Sequence, residues 1–95
     1  MSSRTAADLT AADRSVLWHP FTQQQGWTDE EPLIIERAEG CTVWDADGNA
    51  YIDGTSSLWC NVHGHRHPRI DAAVREQLDK VAHTTMLGMT HPGAI

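Results

Sequence analysis

LIIERAEGCTVWDADGNAYIDG, residues 33–54, reads as three short strands separated by two breaks. Leu33–Arg37 is rich in β-formers. Ala38-Glu39-Gly40 interrupts it, and Cys41–Trp44 is a second strand. Asp45-Ala46-Asp47-Gly48 is a turn signal, because Asp bonds its own backbone and Gly accepts a positive φ. Asn49–Asp53 is the third strand, and Gly54 ends it. Three strands within so few residues predict a small antiparallel meander.

Downstream of the meander, Thr55–Val62 (TSSLWCNV) mixes small polar with large apolar residues and has no clean period. His63-Gly64-His65-Arg66-His67-Pro68 follows. Pro68 suits a first helical position, where a missing N–H costs little. Ile70, Ala73, Val74, Leu78 and Val81 then recur at helical spacing, with charged residues mostly off that stripe. An amphipathic helix is predicted over Pro68–Ala82. His83–Thr90 is short, apolar and uncharged. His91-Pro92 is a second helix-start signal three residues before the chain stops at Ile95, an ending expected of a truncated sequence.

Upstream, residues 1–9 are small and polar, and 1–15 are expected to form a flexible N-terminus. Thr10 and Asp13 resemble a capping box, predicting a short helix over Ala11–Leu17 that stops before Pro20. His19–Pro32 has no apolar period and reads as an extended loop. Its large aromatics are expected to pack on something. The fold class is therefore an α+β fragment: a short helix, a three-stranded antiparallel meander and an amphipathic helix.

The chain has 95 residues, a length for at most one small domain. Seven Lys+Arg against 13 Asp+Glu give a net charge of −6, which argues against nucleic acid as a partner. No apolar run is long enough for a membrane span, and Met1–Ser15 lacks the apolar region of a secretory signal. Cytoplasm is the default compartment, and two cysteines, Cys41 and Cys60, fit a reducing one.

Composition points to the second half as the site. Four of the six aromatics are Trp, and five of the six His lie between His63 and His91. Cys60, His63, His65 and His67 could be metal ligands, since in an extended segment the three His would share one side. The plainer reading makes them turn and packing residues around a Gly and a Pro. Ser56, Ser57 and Cys60 lie near His residues, but no G-x-S-x-G or protease Cys signature accompanies them. Neither G-x-G-x-x-G nor a Walker loop occurs. Phe21, Trp59 and Trp18 sit on irregular segments flanked by Gly, Pro and small polar residues. They are either one wall of a small-ligand pocket or fillers of core gaps.

Several of these motifs, taken in order, resemble a known family: Leu17-Trp18-His19-Pro20-Phe21-Thr22, Ala38-Glu39-Gly40, Asp45-Ala46-Asp47-Gly48, Asp53-Gly54, Ser56-Ser57-Leu58-Trp59, His63-Gly64-His65-Arg66-His67-Pro68 and Thr90-His91-Pro92-Gly93-Ala94-Ile95. The series is similar to the N-terminal segment of the class III pyridoxal-phosphate aminotransferases, in particular their biotin-biosynthesis branch. It covers residues 16–95 here and only about a first quarter of a full-length member.

The resemblance implies an incomplete domain of a fold type I PLP-dependent transferase, working as a homodimer. It implies transfer of an amino group onto the ketone of 8-amino-7-oxononanoate, giving 7,8-diaminononanoate, with adenosylmethionine or lysine as donor. Pyridoxal 5'-phosphate and the catalytic residues would belong to the missing part of the chain. Lys80, the only lysine, lies on the polar side of its helix and is expected to be solvated. The implied substrate-binding residues are Phe21, Leu58 and Trp59. Phe21 stands where the family has a Tyr, so it lacks a hydroxyl. Leu58 stands where better-known members have the first of two Trp, so it offers an apolar wall without an indole. Leu87–His91 resembles a loop near the active site and dimer interface. The alternatives are another class III ω-aminotransferase, or a free-standing metal-binding module using Cys60 and the His63/His65/His67 cluster.

Overall fold

The computed structural model describes residues 4–95. Helix α1 (Ala6–Val16) opens the described chain, followed by the single turn α2 (Gln24–Trp27). Strands β1 (Ile35–Glu39), β2 (Thr42–Asp45) and β3 (Ala50–Ile52) form one sheet in the order β1-β2-β3, both pairings antiparallel. The expected meander is present. α3 (Ser56–Trp59) is one turn, α4 (Pro68–Leu78) is the amphipathic helix, and a 3-10 turn spans Pro92–Ala94.

Several boundaries differ from those expected, each for a local reason. α1 starts at Ala6 because Thr5 and Asp8, not Thr10 and Asp13, form the capping box. The Asp8 amide donates to Thr5 Oγ1 at 3.1 Å, and the Thr5 amide donates to Asp8 Oδ2 at 3.0 Å. Residues 6–15 of the segment expected to be a flexible N-terminus are thus helical, including 6–9 of the 1–9 expected to fray. Residues 1–3 of that expectation lie outside the described residues. Within the loop 19–32, α2 is a helical turn instead of extended chain, closed by the Trp27 amide donating to the Gln23 carbonyl at 2.9 Å.

β1 begins two residues late and runs through Ala38-Glu39, which the sequence marks as a break. Arg37, Ala38 and Glu39 pair with Trp44, Val43 and Thr42, with an irregularity between Ile35 and Arg37. Gly40 at φ +59 makes the tight connection to β2. α4 ends at Leu78 rather than Ala82, where a turn from the Gln77 carbonyl to the Lys80 and Val81 amides replaces helix.

Val43 is the one buried apolar residue among those described. Ile70, Val74 and Leu78, the stripe of α4, are 46%, 55% and 59% exposed. The radius of gyration is 17.5 Å, against about 12 Å for a compact globule of this length. The elements are well formed locally, but their apolar faces are largely uncovered.

Candidate functional site

The site is built where the third strand hands over to α3. Ser56, Ser57, Leu58 and Trp59 have φ of 52°, 47°, 65° and 71°, so α3 is a left-handed turn made without glycine. For L-residues this crowds Cβ against the following carbonyl and costs on the order of 1–2 kcal/mol per residue. The turn closes on itself: the Trp59 amide donates to the Thr55 carbonyl at 2.8 Å, and the Cys60 and Asn61 amides to the Ser56 carbonyl at 3.0 Å. It leaves Leu58 (67%) and Trp59 (81%) exposed.

Asp53 at the end of the meander holds this turn. Its Oδ1 accepts from the Ser57 amide at 2.9 Å, and its Oδ2 accepts from Ser57 Oγ at 2.8 Å. His65 Nε2 lies 2.6 Å from the same Oδ2. The Ser57 amide and hydroxyl, with His65, hold the Asp53 carboxyl down at about 2. The backbone locks both residues to the start of β2. The Asp53 amide donates to the Cys41 carbonyl at 2.8 Å, and His65 exchanges two backbone bonds with Gly40 at 3.0 and 2.8 Å. Gly64, at φ +82, lets that bridge form: a Cβ there would stand 3.2 Å from the Gly40 oxygen.

A second carboxylate organises the meander itself. Asp45 is buried and accepts from the amides of Asp47 (3.0 Å) and Asn49 (2.8 Å), the Asn49 side chain and Tyr51 Oη (2.9 Å). Burial pushes its carboxyl up, but these donors together leave it below the usual range. Tyr51 is raised in turn, chiefly by donating to Asp45.

The expected site residues fall in two places. Phe21 is fully exposed at φ +50 and lines an open hollow with Trp18, His19, Pro20 and Thr22, all from its own loop. Leu58 and Trp59 stand on α3 and do not contribute to that hollow. A groove of about 730 Å³ lies elsewhere, along α4 between Ile70, Val74, Gln77, His67 and His91.

The metal alternative does not survive the geometry. Among the described residues, no three His, Cys, Asp or Glu side chains gather as a metal would need. His65 is engaged by Asp53, the rings of His63 and His67 are 6.1 Å apart, and Cys60 Sγ turns back to the Leu58 carbonyl. Positive φ at Gly64 and Arg66 breaks the extended backbone that would have aligned the three His. Ser57 Oγ donates to a carboxylate held at about 2, a weak base, rather than to a histidine.

Residues 24–94 match the family described as aminotransferase class-III. The chain belongs to that family. This class-III aminotransferase chain is 58% identical over 88 residues to the adenosylmethionine-8-amino-7-oxononanoate aminotransferase of Nitratidesulfovibrio vulgaris, covering 93% of the chain and 16% of that relative. It superposes on the crystal structure of the Methanocaldococcus jannaschii protein of the same name with a TM-score of 0.81 at 42% identity, over 87% of this chain and 19% of that one. An (S)-enantioselective omega-transaminase from Thermomicrobium roseum gives 0.86 at 38% identity, over 97% and 21%. The class-III chain thus spans about a fifth or less of the length of the proteins it matches.

A pyridoxal cofactor needs a lysine in an enclosed site. Lys80 instead pairs with Glu76 at 3.2 Å on the surface of the helix, both side chains well over half exposed. The residues of this class-III segment therefore do not fit a covalent cofactor site. What they offer is apolar and aromatic surface: Phe21 in one loop, Leu58 and Trp59 on the left-handed turn. Sequence reasoning singled out the last two but missed their brace, Asp53–His65. The signal was present as D-G-x-S-S, an Asp four residues before a Ser.

Proposed function

We infer that this chain is the N-terminal segment, residues 16–95 with 1–15 ahead of it, of an aminotransferase that forms 7,8-diaminononanoate from 8-amino-7-oxononanoate. The observation that carries the reading is the 58% identity to a relative of that name across nearly the whole chain. In this reading the amino donor is adenosylmethionine or lysine, and the enzyme is a cytoplasmic homodimer. Pyridoxal 5'-phosphate, bound by other parts of the enzyme, supplies the electron sink for amino transfer. The residues described above bind and orient substrate. Phe21 packs a ring on it but has no hydroxyl to donate, and Leu58 and Trp59 form an apolar wall. By itself this segment is inactive.

The experiment is an assay of the full-length enzyme with 8-amino-7-oxononanoate, running adenosylmethionine and lysine as donors in parallel. Formation of 7,8-diaminononanoate with either donor supports the reading. Turnover of simple amines and ketones alone favours the second reading, an ω-aminotransferase of the same family. The TM-score of 0.86 to the Thermomicrobium roseum transaminase keeps that reading in view.

A further inference from the structure

The left-handed turn of α3 has no glycine to relieve it, and its two apolar side chains, Leu58 and Trp59, are exposed. Such a turn relaxes toward ordinary backbone unless something outside it holds it. The bonds from Asp53 do this. Both carboxylate oxygens are spent on Ser57, the second residue of the turn, one on its amide and one on its hydroxyl. The bond from His65 to the same Oδ2 holds the carboxylate as well. Neither residue is free to move with the turn: Asp53 is tied through its amide to Cys41, and His65 through two bonds to Gly40. Asp53 and His65 side chains are 8% and 15% exposed, while the wall they support is open.

We propose that Asp53, braced by His65, is a positioning residue that holds Ser57 and so sets the angle at which Leu58 and Trp59 face the substrate. This rests on the reading of Leu58 and Trp59 as a substrate wall. Asp53 itself touches no substrate. Its loss lets α3 unwind, and the wall is then mobile when substrate arrives. Binding suffers before turnover does.

The test uses the full-length enzyme as wild type, D53A, D53N and S57A. KM and kcat for the amino acceptor are measured beside chymotryptic cleavage after Leu58 or Trp59. D53A raises KM by roughly tenfold or more while kcat falls far less, and cleavage at the turn quickens. D53N restores most of both, because Asn keeps an acceptor for the Ser57 amide; S57A falls between. A D53A enzyme with wild-type KM and wild-type cleavage overturns the proposal. So does a D53N enzyme as impaired as D53A with both losing kcat in step with folded protein, the mark of a merely structural role. If D53A does not accumulate folded, S57A decides on the same two readouts. A wild-type enzyme inactive on 8-amino-7-oxononanoate sinks the functional reading instead, and the cleavage pattern then judges Asp53 alone.

Discussion

Trp27 Nε1 donates to Asp13 Oδ2 at 2.8 Å, joining α2 to α1 across fourteen residues of sequence. His19 Nε2 meets the same carboxylate at 2.8 and 2.9 Å, and its ring lies 4.3 Å from that of Trp27. These donors, Trp27 first, hold the Asp13 carboxyl below its ordinary value. Of the loop's large aromatics Trp27 therefore packs, around a charged group, whereas Trp18 and Phe21 stay exposed against expectation.

Trp27→Phe keeps the ring and removes the donor. In the full-length enzyme, amide exchange across residues 13–28 should speed several-fold, with the meander unaffected. Unchanged exchange in this segment would contradict the role given to the indole N–H.

Gly64→Ala should destabilise by about 1–2 kcal/mol or more, since it combines a left-handed φ with a Cβ 3.2 Å from the Gly40 oxygen. A denaturant titration of the full-length enzyme reads this as a lower midpoint at unchanged slope. Gly48→Ala is the contrast: its φ is also positive, but nothing lies within 4 Å of the added methyl. It should cost less.

Acid should loosen α3. The Asp53 carboxyl is near 2 when folded, against an ordinary value of 3.8. A depressed carboxyl contributes stability that is complete above about pH 4 and is lost as pH falls through about 2. Chymotryptic sensitivity cannot be followed that low, so the readout is NMR of the Ser57 amide. Its hydrogen-bonded shift should move upfield across that window in the wild type, as the acceptor loses its charge. D53N should show no such titration.

The 95-residue chain alone should lack a sharp calorimetric transition and bind a hydrophobic dye. Its α4 stripe, Ile70, Val74 and Leu78, is about half exposed, and Val43 is its one buried apolar residue among those described. A cooperative transition with calorimetric and van't Hoff enthalpies in agreement would refute this.

Trp59→Ala in the full-length enzyme should raise KM for the amino acceptor by about tenfold, roughly the binding carried by one aromatic contact. Leu58→Trp should shift the relative use of adenosylmethionine and lysine. Steady-state kinetics with each donor measures both. Wild-type constants in both variants would remove α3 from the substrate site.

What was legible in the sequence was local. α4 was readable from Pro68 and the period of Ile70, Ala73, Val74 and Leu78, and the meander from the Asp45–Gly48 turn. The start of α1 was ambiguous because Thr5–Asp8 and Thr10–Asp13 both have capping-box spacing. The geometry uses Thr5 as the cap with Asp8 as its box partner, and Asp13 as the anchor for Trp27 and His19. α3 was hidden because Ser, Leu and Trp carry no preference for positive φ. Its conformation is imposed by Asp53 and by His65, twelve residues further on. The metal reading failed for the same reason: spacing shows which His are near in sequence, not that one is already bonded to Asp53.

The bridge between Gly40 and His65 also orders events in time. The meander pairs residues close in sequence and has short loops to close. His65 emerges after all three strands, so its clip onto Gly40 closes a longer loop and comes later. Until then Asp53 lacks its brace. The turn that carries Leu58 and Trp59 therefore takes its braced form only after His65, further along the chain, has been made.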